Sequence, residues 1–252
     1  MTRPFKKLDR SMKRTHSAGG FGIEILFPGT RLRTGDSGIG AIGRIDHARI
    51  VPGTMIAMHP HKDDEILTYV RNGRLRHLDT VGHSEEISST RLMLMNAGHT
   101  FQHEERALKD GGVLEALQIF VRPRESDLEP LVQFHDFGTP YSDNEWRLIA
   151  GPSSEAPLVF RAQAWIHDNR LDAGRAIALP TLPAADAIRL VYVFAGKVTA
   201  GGISLATGES LVVENGNFDV VAEEQSDLVL FTTDPSAPVL KGGMFSGNIL
   251  RS

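Results

Sequence analysis

The sequence has no cysteine among its 252 residues. That excludes a disulfide framework and thiolate chemistry, so any metal held by this chain must be held through nitrogen and oxygen. It also has no apolar run of the roughly 18 residues that a membrane-spanning helix needs, and the N-terminus lacks the apolar centre of a secretory signal. A soluble, cytoplasmic protein is the expectation, with no membrane contact. An excess of positive charge is missing too. The formal net charge is −4, from 27 Lys and Arg against 31 Asp and Glu, which argues against direct nucleic-acid binding. Long amphipathic helical patterns are absent as well. What remains is a chain that is 41% hydrophobic, enough to bury a sizeable core, written as short apolar runs separated by Gly, Asn, Asp and Ser turns.

Those runs include Ile42–Ile50, Thr54–Met58, Ile66–Val70, Arg74–Leu78, Arg91–Met95 and Val113–Val121. Many short strands with turn signals between them predict an all-β barrel or sandwich. Around them, the basic residues Arg3, Lys6, Lys7, Arg10, Lys13 and Arg14 read as a solvated arm.

Two histidine-bearing stretches carry the chemistry. The first is His59-Pro60-His61. On an extended strand residues i and i+2 share a face, so the two imidazoles point the same way and can grip one ion. Glu65 follows four residues later and shares that face only if the strand continues unbroken. The second stretch, Asn96 to Glu105, repeats the one-residue gap at His103 and Glu105. The two pairs predict three imidazoles and one carboxylate from two strands. The oxygen ligand is Glu65 by one spacing and Glu105 by the other. Glu105 is preferred because it repeats the geometry of the first pair, leaving Glu104 on the opposite face. Glu65 is then expected to accept a hydrogen bond from a ligand imidazole, and His99 to stand in the pocket wall. His47, His77, His83, His135 and His167 are isolated in sequence and read as surface residues. Met55, Ala57, Met58, Met93 and Met95 are candidates for apolar pocket walls.

The spacing Gly53, His59, His61, Glu65, Gly73 resembles the first cupin motif. The fuller run H-P-H-K-D-D-E-I-L-T-Y-V-R-N-G, followed by N-A-G-H-T-F-Q-H-E-E, is more similar to the pirin family, specifically over residues 53–105. The resemblance implies a bicupin, two stacked jelly-roll barrels. It implies His59, His61, His103 and Glu105 as metal ligands, with Glu105 also the carboxylate nearest the chemistry. It further implies that Lys241–Asn248 packs back over the first barrel. The chain departs from the family at His16-Ser17-Ala18-Gly19-Gly20-Phe21, where pirins usually carry His-x-Phe-Ser-Phe.

Domains are expected at 1–125, the metal-binding barrel, and 146–252, a second barrel, with 126–145 as linker. The second half repeats the first: Ile188–Val198 aligns with Glu65–Leu75, and Leu211–Phe218 with Leu92–His99. In this register Leu182, Ala184, Ile188 and Ala222 replace His59, His61, Glu65 and His103, and Glu224 stands opposite Glu105. The second barrel is therefore read as metal-free.

Three imidazoles and a carboxylate suit one divalent transition metal: iron first, with copper, nickel, manganese or zinc also compatible. Family resemblance implies two roles of different classes. One is a dioxygenase of the quercetin 2,3-dioxygenase type, acting on a small aromatic molecule with dioxygen. The other is an iron-binding, redox-responsive regulator that binds a protein partner.

Overall fold

A computed structural model describes residues 5–214 and 216–250. Among them there is no α-helix; a short 3-10 turn at Arg10–Met12 is the sole helical element beside 22 strands. The chain is a bicupin, and its two halves share one topology. In the first, a seven-stranded sheet runs in the order Leu131–Asp136, Arg91–Asn96, Glu65–Asn72, Leu114–Val121, Ile42–Ile50, Phe21–Leu26, Arg14–Ala18. A four-stranded sheet faces it: Met55–His61, Phe101–Ala107, Leu75–Asp79, Ser84–Ile87. The second half repeats both sheets, with Ile188–Ala195 between Ser210–Val213 and Ser226–Thr233, just as Glu65–Asn72 lies between Arg91–Asn96 and Leu114–Val121.

The strand Glu65–Asn72 does not alternate. Its first six residues are all buried, because one face looks into the first barrel and the other meets the second. An antiparallel strand covered on both faces needs apolar residues at every position, and Ile66, Leu67, Tyr69 and Val70 supply them. The polar tips at the seam are paired. Tyr69 donates from its hydroxyl to Asp168 at 2.9 Å, and His47 Nδ1 lies 2.8 Å from the hydroxyl of Tyr192. His47 is thus a seam residue, not a surface one.

Three further expectations need correction. Phe5–Leu8 does not sit in the first barrel; it pairs with Ser210–Val213 and extends the second barrel's sheet. The basic segment is not a free arm where it is described: Arg14–Ala18 is a strand and the Lys13 side chain is buried against Glu24 and Tyr192, while Arg3 lies outside the described residues. The stretch 126–145 contains the strand Leu131–Asp136, paired residue for residue with Arg91–Asn96.

The tail returns to the first barrel. Met244 N donates to Lys62 O at 3.0 Å, and Phe245 and Ser246 N donate to the Asp64 carboxylate. Fully buried Arg122 donates to Ser246 O at 2.8 Å and to both oxygens of Asp36. Gly43 permits this approach: a Cβ there would lie 2.2 Å from Ser246 O.

Candidate metal centre

The four-stranded sheet of the first barrel brings the site together. His103 is directly opposite His59 on one neighbouring strand and Asp79 on the other, while Glu105 is opposite Ile56 and His77. Between His103 and Glu105 the register against Met55–His61 shifts. Three steps from Ile56 to His59 match two from Glu105 to His103, so one extra residue bulges from the edge strand. The bulge turns Ile56, His59 and His61 to one side and leaves Met55 and Met58 exposed at 49% and 43%. Met93 and Met95, also candidates for the pocket wall, are wholly buried in the core instead.

His103 Nε2 lies 3.0 Å from His59 Nε2 and 3.0 Å from His61 Nε2. Nitrogens bound at right angles on one ion, each about 2.1 Å from it, would be about 3.0 Å apart. An imidazole nitrogen makes one hydrogen bond, so three ring nitrogens meeting at His103 Nε2 leave at least one contact unsatisfied, and His61 Nδ1 is buried with no partner at all. His59 Nδ1 is 2.9 Å from Ala57 O and so carries the proton, which leaves Nε2 as an acceptor. Glu105 is buried; Gln118 Nε2 donates to its Oε2 at 2.9 Å, and Oε1 is buried without a partner. Three convergent imidazoles are a donor set that fits a divalent transition metal, and the unpartnered oxygen of Glu105, grouped with His77 and His103, is a further oxygen donor in the same barrel.

Ligand atoms of His59, His61 and His103 lie within 4.8 Å of one another, and so do those of His77, His103 and Glu105. Three of the four expected ligands, His59, His61 and His103, therefore converge, while Glu105 groups with His103 and His77 and not with His59 and His61. His77, read from sequence as a surface residue, is fully buried and belongs to the second trio. A signal for it existed: Leu75, His77 and Asp79 share one parity, and Leu75 fixes that face as the inner one.

Burial governs the electrostatics. Desolvation holds the His61 imidazole down to about 3, helped by the neighbouring His59 and Arg44, and it pushes His103 lower still, with His61, His59 and His77 acting in the same direction. These imidazoles are neutral and ready to bind at ordinary pH. Desolvation pushes the Glu105 carboxyl up to about 7, opposed by the bond from Gln118.

Glu65 and His99 stand elsewhere. The strand breaks after His61: Asp63 adopts a left-handed φ of 56°, and Glu65 begins a strand of the larger sheet. Its carboxylate accepts from Asn96 Nδ2 at 2.9 Å and from Arg161 N at 2.7 Å, and no ligand imidazole bonds it. His99 lies in the turn before Phe101–Ala107, and its side chain is 41% exposed beside Glu129. Gly98 makes that turn, with φ 58° and room only for hydrogen: a Cβ would lie 2.0 Å from Leu128 O. Two clefts of about 400 and 340 Å³ lie away from His59, His61, His77 and His103, the first lined by Glu24, His47 and Phe194, the second by Arg124, Phe160 and Pro238.

In the second barrel the register differs from the sequence alignment. Val198 pairs with Ala222 and Ala200 with Val220, matching Leu75 with Ala107 and His77 with Glu105. Val220 thus takes the place of Glu105 and Ala200 that of His77, while Glu224 lies beyond the strand in an exposed turn. The apolar residues there offer no ligand set like that of the first barrel.

The pirin family profile matches residues 37–121, the span that holds His59, His61, His77, His103 and Glu105. A quercetin 2,3-dioxygenase of Escherichia coli is 25% identical over 220 residues, covering 79% of this chain and 84% of its own. A Vibrio cholerae protein that carries the same name provisionally is 30% identical over 208 residues, covering 75% of this chain and 72% of its own. Among solved structures, the bacterial pirin YhhW of Escherichia coli in complex with nickel(II) superposes with a TM-score of 0.79 at 22% identity, covering 92% of this chain and 99% of that one. With a pirin profile over residues 37–121 and a relative 30% identical along three quarters of its length, this chain belongs to the pirin family.

Proposed function

We propose that this chain is a metal-dependent dioxygenase that opens the ring of a small aromatic diol or ketol of the flavonol type. The observation that carries the reading is the convergence of the His59, His61 and His103 ring nitrogens, with the buried, unpartnered Oε1 of Glu105 two residues along the strand from His103. The relatives named quercetin 2,3-dioxygenase support the substrate class. His59, His61, His103 and Glu105 would hold the metal, for which iron is the first choice. A bound redox-active metal would supply Lewis acidity toward the substrate oxygens and electron exchange with dioxygen.

The chain's own contribution is positional and electrostatic. His59 is the half-buried ligand and marks the side from which a substrate approaches. Phe245 from the tail lies over His61 with ring centroids 5.1 Å apart, and Phe120 stands 5.5 Å from Phe245, so the inner side is apolar and shielded from water. Glu105, the carboxylate nearest the chemistry, has Oε2 held by Gln118, so a substrate proton could pass to it only when Oε1 is not bound to the metal. The test is aerobic turnover of a flavonol and catechol panel by the iron-loaded protein, followed by product mass. Both atoms of dioxygen are expected in the ring-opened product, with one ring carbon of a flavonol released as carbon monoxide; a fully loaded protein that turns over none of the panel contradicts the reading.

A second reading, an iron-binding regulator that docks a protein partner, is supported by the exposed Met55 and Met58 on the strand that carries His59. A complex that forms only with the metal-loaded chain, in the absence of turnover, would favour it.

A further inference from the structure

Behind His103 lies a chain of polar groups that the metal reading does not use. His103 Nδ1 is 3.3 Å from His77 Nδ1. His77 Nε2 is 2.8 Å from Asp79 Oδ2. Asp79 is pinned in turn: its Oδ1 accepts backbone N–H bonds from Val81, Gly82 and His83 at 2.9, 2.9 and 3.0 Å, and its Oδ2 also faces His83 Nδ1 at 3.0 Å. The His77 and Asp79 side chains are wholly buried.

The order of protons along this chain is forced. A carboxylate ringed by donors only accepts, so His77 carries its proton on Nε2. The other nitrogen of a neutral imidazole is then an acceptor, so His77 Nδ1 accepts. The proton between the two Nδ1 atoms therefore belongs to His103, and His103 Nε2 is left bare, facing His59 and His61.

We propose that Asp79 and His77 are positioning residues for the metal centre: together they fix the tautomer of His103 that presents Nε2 to a divalent transition metal. Neither is assigned to the ion, because His77 uses Nδ1 for His103 and Nε2 for Asp79. The inference rests on the reading of His103 as a ligand. It explains why a buried His–Asp pair sits inside a barrel whose other inward residues are mainly apolar, and why a carboxylate takes three backbone N–H groups from one tight turn: the turn holds Asp79 in a single orientation.

Outer partners that orient a ligand imidazole usually change metal affinity by about 10 to 100-fold. The decisive variant is Asp79→Asn. The three backbone N–H groups demand an oxygen at Oδ1, so the new amide nitrogen faces His77 and donates to it. His77 must then carry its proton on Nδ1, which drives the His103 proton to Nε2, the atom the metal needs. An isosteric substitution is expected to reverse the whole chain.

The experiment uses the full chain. Long-range proton–nitrogen correlation spectra of the metal-free protein read the His103 tautomer, and titration with nickel(II) reads affinity. Wild type should show His103 protonated at Nδ1; Asp79→Asn should show it at Nε2, with nickel(II) affinity down by about 10 to 100-fold. If Asp79→Asn also loosens the turn, His77→Gln and His77→Leu ask the same question away from it. Gln offers an acceptor oxygen to His103 and should keep most of the affinity, whereas Leu should lose it. An unchanged tautomer with unchanged affinity in Asp79→Asn, or equal affinity in the Gln and Leu variants, overturns the inference. His59→Ala in parallel separates the two claims. If it binds nickel(II) like wild type, the metal reading fails, while the spectra still report whether His77 sets the tautomer.

Discussion

Gln118 donates one hydrogen bond to Glu105 Oε2 at 2.9 Å and leaves Oε1 buried with none. Its amide thereby chooses which carboxylate oxygen is available at the centre. The same bond opposes the burial that holds Glu105 near 7. Below that value a proton competes with the metal for Oε1; above it the carboxylate is free. Nickel(II) affinity should therefore rise with pH up to about 7 and level off above it, since His61 and His103 are already neutral throughout. Gln118→Leu removes the opposing bond, so the rise should move to higher pH. Affinity measured across pH 5.5–9 in the two proteins checks this; coincident curves would contradict it.

Glu65 and Glu105 can be separated. Glu65→Gln should keep nickel(II) binding within about tenfold, and Glu104→Ala should change it little, because neither side chain bonds a ligand imidazole. Glu105→Gln should lose far more affinity and alter the coordination spectrum. Abolished binding in Glu65→Gln with near-normal binding in Glu105→Gln would reverse the assignment. These three titrations run in parallel.

Glu65 has a second, independent signature. Burial lifts its carboxyl from 4.5 to about 7, opposed by the bonds from Asn96 and Arg161. The folded metal-free protein thus binds more protons than the unfolded chain between those values. Stability is present in full below pH 4.5 and is lost as pH rises toward 7, with Glu65 contributing on the order of 3 kcal/mol to that fall. Glu65→Gln should flatten the slope of unfolding free energy over this window. An unaltered slope in denaturant melts of metal-free protein would count against it.

Arg122 ties the tail to the barrel. Replacing it with Met leaves Asp36 with Lys241 as its remaining charged partner and frees Ser246 O. Removing one member of a buried pair should cost about 3 kcal/mol. Because Phe245, the residue before Ser246, lies over His61, hydrogen exchange should rise selectively at residues 244–248. Exchange there matching wild type would contradict the coupling.

Much of this is legible in the sequence. The convergence of His59, His61 and His103 follows from strand parity, and the run of T-Y-V before a glycine turn marks one strand type in the first barrel that the second echoes. Other features lie outside that rule. Glu65 leaves the ligand face because Asp63 takes a left-handed turn, which parity counting cannot see. His77 escapes notice because its partners come from a neighbouring strand as well as its own. The second-barrel register slips by four residues around Val220 because the turn between aligned strands has a different length. The fate of Phe5–Leu8, in the far barrel's sheet, is a pairing between distant segments that no local pattern encodes.

The most direct test of the account is metal content after loading with iron(II) or nickel(II) and exhaustive dialysis, measured per chain for wild type, His59→Ala, His103→Ala and Glu224→Ala. The account predicts one ion per chain in wild type and in Glu224→Ala, and almost none in the two histidine variants. Two ions per chain in wild type, or a full complement retained without His103, would contradict it.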